Sequence, residues 1–94
     1  MKLVWSPRAL AQVENAVSYI AQDDPDAAWR VYERVSQRAE QLLSLPELGS
    51  PGRVQGTREL VITDTPYVVV YRVKGDELQI AAVWHSAQSR KRRR

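Results

Sequence analysis

The sequence predicts an α+β domain of order βααβββ, with a helical hairpin packed on one face of a small antiparallel sheet. Two observations carry this expectation. Apolar residues recur at three- and four-residue spacing in the first half of the chain, and at every second position from Arg58 to Trp84. The stretches of the second half are joined only by Asp64-Thr65-Pro66 and Lys74-Gly75-Asp76, links so short that neighbouring strands must pair antiparallel as a meander.

Each element has a local reason. Lys2-Leu3-Val4-Trp5 alternates, with Leu3 and Trp5 on one side, and reads as a short strand that joins the meander. Ser6 suits a helix N-cap and Pro7 the first helical position. Leu10, Val13, Ala16, Val17 and Ile20 then make one apolar stripe, with Arg8, Gln12, Glu14 and Asn15 on the other face. Asp24-Pro25 repeats the punctuation within an acidic cluster that favours the positive end of a second helix. Its stripe is Ala28, Tyr32, Val35, Ala39 and Leu42, and Leu45-Pro46 ends it, because a residue before proline avoids helical dihedrals. Glu47 to Thr57 holds three of the four glycines and reads as a loop.

The alternation divides the sheet into two faces. Leu3, Trp5, Leu60, Ile62, Tyr67, Val69, Tyr71, Val73, Leu78, Ile80, Ala82 and Trp84 are expected to face the helices. Glu59, Val61, Val68, Val70, Arg72, Ala81, Val83 and His85 remain for the outer face. A sheet covered on one side normally turns polar residues to water, and this outer face carries valines instead. Either the loop from Glu47 to Thr57 or the tail covers it, or it is a binding surface for a partner segment.

Composition narrows the function classes. Ninety-four residues make one domain with a thin core. Without cysteine, and with one histidine, thiolate and imidazole metal clusters are excluded, and no metal or cofactor is expected. Three apolar residues before Pro7 are too few for a signal or membrane segment, so the expected location is cytoplasmic. The net charge of +3 is uneven: the last five residues, Arg90 to Arg94, are all basic, and the remainder has nine bases against eleven acids. The expected organisation is a domain over residues 1–89 and a disordered basic tail over 90–94.

Several segments in this order, LVWSPRAL, SYIAQDDPDAA, PELGSPGRVQGTREL, PYVVVYRV and a last strand ending in WH, resemble RelE/ParE-type toxins over nearly the whole chain. The resemblance implies a toxin of a bacterial type II toxin-antitoxin module that arrests growth and is neutralised by a cognate antitoxin. Two mechanisms divide that family. RelE-like members cleave mRNA on the ribosome with basic and acid/base groups on the open sheet face, and ParE-like members inhibit DNA gyrase. RNA cleavage needs a base, an acid and cations for the phosphate. Where RelE-like toxins carry lysines on the first meander strand, this chain has Glu59 and Val61, and the arginine of their middle strand corresponds to Val68.

The sequence therefore resembles ParE-like members more closely, with binding to gyrase the expected mechanism. The alternatives are a ribosome-dependent endoribonuclease with a site drawn from Arg58, Arg72, His85 and Arg90, and a non-toxic binding module. Expected antitoxin or target contacts are Val61, Val68, Val70, Arg72, Val83 and His85, together with Arg90, Lys91 and Arg92 of the tail, which would bind in a salt-dependent way.

Overall fold

The computed structural model describes residues 1–87. Two helices, α1 (Pro7–Ala21) and α2 (Pro25–Gln41), follow the strand β1 (Lys2–Trp5). Then come β2 (Ser50–Pro51), β3 (Arg58–Val61), β4 (Tyr67–Lys74) and β5 (Glu77–His85). The sheet is five-stranded in the order β1-β5-β4-β3-β2. Its meander is antiparallel as expected, whereas β1 pairs parallel with β5 and the predicted loop contributes β2 as a short edge strand.

Both helix starts obey their local sequence. The Ser6 side chain accepts from the Ala9 N–H and the Asp24 side chain from the Ala27 N–H, each with proline at the start of the helix. Helix α2 stops at Gln41, earlier than the Leu45-Pro46 step, because successive short-range bonds from Leu43 to Glu40 and Ser44 to Gln41 already tighten the chain into turns. The buried residues of the hairpin are Ala9, Val13, Ala28, Val35 and Ala39, followed by Leu42. The expected stripe members Leu10 and Tyr32 are instead 48% and 45% exposed, their places toward the core being held by Ala9 and Val31. Small residues at these positions let the helices lie close to the sheet and to each other.

Against the hairpin lie Leu60, Ile62, Tyr67, Val69, Tyr71, Leu78 and Ile80, with Leu3 and Trp5 packed on the rim of the same cluster. Val73 has the same parity but projects past the helices and is 49% exposed. Beyond Ile80 the expected faces are reversed. Tyr71 pairs with Ile80 and Val70 with Ala82, so Ala81 is an extra residue in β5, a β-bulge. With a side-chain period of two, one inserted residue moves everything after it to the opposite face. Val83, opposite Val69, joins the core, and His85, opposite Tyr67, is on the helix side. Ala82 and Trp84 pair with Val70 and Val68 on the outer face, correcting the expected positions of Ala82, Val83, Trp84 and His85.

The bulge lies where β1 runs out. Trp5 pairs with Ile80, and from there α1 supplies the partners for the freed edge of β5. Ser6 Oγ donates to the Ala81 carbonyl at 3.0 Å, and Gln12 Oε1 accepts from the Val83 N–H at 2.7 Å. Gln12, expected on the solvent side, is therefore turned to the sheet, because an unpaired strand N–H at a part-buried edge costs more than ordering one amide side chain.

Candidate binding face

The outer face begins with the loop that precedes β3. Tyr71, fully buried on β4, reaches from the core to this loop: its hydroxyl donates to the Pro46 carbonyl at 2.7 Å and accepts from the Gly49 N–H at 2.9 Å. Gly49 lies so close to the phenol that a Cβ there would meet the Tyr71 ring and the Glu59 carbonyl at 2.9 Å. Arg58 extends the same anchor, donating from Nη1 to the Gly49 carbonyl at 2.8 Å. Thus a strand tyrosine, a strand arginine and a glycine fix the loop before it turns over the sheet.

Arg53 follows on that loop. Its backbone N–H donates to Glu59 Oε2 at 3.1 Å, its Nε is 3.7 Å from the same carboxylate, and its guanidinium lies 5.2 Å from the Trp84 ring centroid. Glu59 pairs with Val70 and Trp84 with Val68, on opposite sides of β4. Arg53 therefore bridges β3 to β5 across the middle strand. Val68 and Val70 beneath it are 7% and 6% exposed, which accounts for an apolar outer face on a short domain. Val61, at the end of β3, stays 65% exposed.

The side chains singled out in the sequence are thus distributed rather than convergent. Val68 and Val70 are under the loop, Val83 is in the core, and Val61 is open to solvent. Arg58 is committed to Gly49. His85 sits on the helix side, edge-on to Tyr67 with ring centroids 5.5 Å apart, and its Nδ1 accepts from the Ala87 N–H at 3.2 Å. Arg72 is on the outer face, with Nε bonded to Gln79 Oε1 at 2.8 Å. Arg90, Lys91 and Arg92 fall outside the described residues. No group of three or more His, Asp or Glu side chains able to hold a metal ion occurs among the described residues, nor a helix long and apolar enough to cross a membrane.

Sequence reasoning did not find Arg53 as a brace, because its partners are a carboxylate six residues on and an indole whose face depends on the bulge. A second feature it missed is a cavity of about 650 Å³ at the other end of the outer face, where Arg8 and Arg72 meet Val4, Thr57 and Gln79.

A helical hairpin on one side of an open, mostly antiparallel sheet, with the other side partly strapped by its own loop, defines a small α+β fold. The sequence profile described as the ParE toxin of the type II toxin-antitoxin system parDE matches residues 3–90. The chain is 41% identical over 87 residues to the putative toxin Y4kP of Sinorhizobium fredii, covering 93% of this chain and 90% of that one. It is 36% identical to the toxin RelE2 of Caulobacter vibrioides, covering 93% and 97%. Among solved structures, the chromosomal ParDE toxin-antitoxin system from P. aeruginosa superposes with a TM-score of 0.82 at 25% identity, covering 90% of this chain and 95% of that one. The YoeB dimer from Staphylococcus aureus shares the fold at a TM-score of 0.56 and 16% identity, covering 87% and 92%. The chain belongs to the ParE toxin family, within the RelE/ParE superfamily of type II toxin-antitoxin toxins.

Proposed function

We propose that this toxin arrests growth by binding and inhibiting DNA gyrase, with no chemistry of its own, and that a cognate antitoxin neutralises it. The observation that carries the reading is the dispersal of the residues a nuclease would need. RNA cleavage requires a proton acceptor, a proton donor and a cation within reach of one phosphate. Here the imidazole of His85 is on the helix side of β5, Arg58 is spent on the Gly49 carbonyl, and Arg72 stands on the opposite face from His85. On the outer face, the places beside Glu59 and Trp84 hold Val70 and Val68, which cannot neutralise charge.

The likeness to the ParDE system supports the same choice and the antitoxin partner. An antitoxin segment would meet Val61 directly, and would reach Val68 and Val70 only by displacing Arg53. The deciding experiment measures gyrase supercoiling with the purified toxin beside translation-dependent cleavage of an mRNA. Inhibition of supercoiling without cleavage is expected. Cleavage without inhibition would overturn the reading in favour of a ribosome-dependent endoribonuclease, and neither effect would leave a binding module on a toxin fold.

A further inference from the structure

The cavity at the β1 end of the outer face is unlike the strapped half. It is framed by the start of α1, by the outward residues of β1, β5 and β4, and by Thr57 beside β3, and its volume is about 650 Å³. The cleft is wide enough to admit a backbone phosphate. Val4 from β1 and Ala81 from β5 are among its apolar lining residues, and its charged lining residues are Arg8 from α1 and Arg72 from β4, with no carboxylate. Among the described residues neither makes an ion pair. Both arginines are exposed, so an anion from solvent can reach them.

The polar neighbours are arranged to keep these donors available. Glu77 Oε1 accepts from the Gln79 amide at 2.9 Å, which turns the Gln79 carbonyl to Arg72 Nε and leaves the terminal nitrogens of Arg72 for a ligand. The hydroxyl of Thr57 donates to the Val54 carbonyl and that of Ser6 to Ala81, so neither hydroxyl proton competes for the site. Within the first turn of α1, Pro7 has no N–H and the Ala9 and Leu10 N–H groups bond to Ser6. The Arg8 N–H remains without a partner inside the helix.

We propose that this cavity binds a phosphodiester of duplex DNA through Arg8 and Arg72. The choice of DNA rests on the gyrase reading, since a gyrase inhibitor acts where that enzyme holds duplex DNA. The toxin would then grip the DNA of the complex with this half of the sheet face.

The test needs no gyrase and so stands apart from that reading. Binding of full-length toxin to a short duplex DNA is measured across a salt series for the natural sequence, Arg8→Gln, Arg72→Gln, the double variant and Arg30→Gln as an exposed charge control. Thermal melts verify that each variant is folded. One neutralised phosphodiester predicts that the salt slope falls by about 0.9 in the double variant, so its affinity deficit shrinks about 3.5-fold between about 50 and about 200 mM salt. Arg30→Gln should leave the slope nearly unchanged. A double variant that is folded and binds duplex with the natural affinity and slope overturns the proposal. So does a loss confined to single-stranded RNA, or to antitoxin affinity, with duplex binding intact. Duplex binding that depends on both arginines, in a toxin that leaves supercoiling untouched, would keep the site and remove gyrase as the target.

Discussion

Replacing Tyr71 with phenylalanine deletes one oxygen and tests the anchor on which the outer face depends. The ring is fully buried, and its hydroxyl serves the Gly49 N–H and the Pro46 carbonyl. Phenylalanine keeps the ring packing but leaves both backbone groups without that partner. An unsatisfied buried group costs about 1–3 kcal/mol, and the Pro46 carbonyl, nearer solvent, regains part of its loss from water. The expected destabilisation is therefore about 2–3 kcal/mol, with each kcal/mol lowering the Tm of a domain this size by about 4–8 °C. Urea unfolding followed by tryptophan fluorescence should show a lower midpoint with an unchanged slope. Hydrogen exchange should accelerate at Gly49 and at the Arg53 N–H, which depends on the loop to meet Glu59. A loss below about 0.5 kcal/mol with unaltered exchange would refute the anchor, because it would show that the loop holds its place through Arg58 and packing alone.

Three further outcomes follow from named contacts. Ser6→Ala removes both the α1 cap and the bond to the Ala81 carbonyl and should cost about 1–2 kcal/mol in chemical denaturation. Gln12→Ala strips the acceptor from the Val83 N–H; a loss of about 1 kcal/mol is expected, with faster exchange at that amide as its specific signature. Burial raises the Tyr67 hydroxyl above its ordinary pKa of 10.0, so the unfolded chain gives up this proton first. Its contribution is intact below the unfolded value and declines as pH rises toward the folded one. Stability should fall on going from about pH 9 to about pH 11 and fall less steeply in Tyr67→Phe.

The parts of the fold legible in sequence are those decided locally. Ser6-Pro7 and Asp24-Pro25 start helices because capping and the fixed φ of proline act within a few residues. The meander is legible because its links are too short for any other pairing. The helix stripes are read less well, since a pattern of apolar residues favours the larger side chain: Leu10 and Tyr32 look like core beside Ala9 and Val31, yet close packing on the sheet selects the smaller neighbour. The bulge is silent for a different reason. Ala81, Ala82, Val83 and Trp84 are all apolar, so either parity gives a plausible inner face, and no glycine or proline marks the insertion. What selects the register is distant: the end of β1 opposite Ile80, and the arrival of Ser6 and Gln12 from α1 at the vacated edge.

That single inserted residue also decides what the outer face can do. Were β5 regular, His85 would stand outward beside the valines and Trp84 would lie in the core. As folded, Trp84 receives Arg53 from above, and the histidine packs edge-on to Tyr67. The half of the face beyond the bulge is thereby closed by a loop that Tyr71 and Gly49 hold down. The half before it stays open, because β1 adds Val4 to the floor and α1 brings Arg8 to the rim. The open half thus keeps Arg8 and Arg72 beside Val4 and Gln79, while the strapped half holds Val68 and Val70 away from water and His85 stays on the helix side.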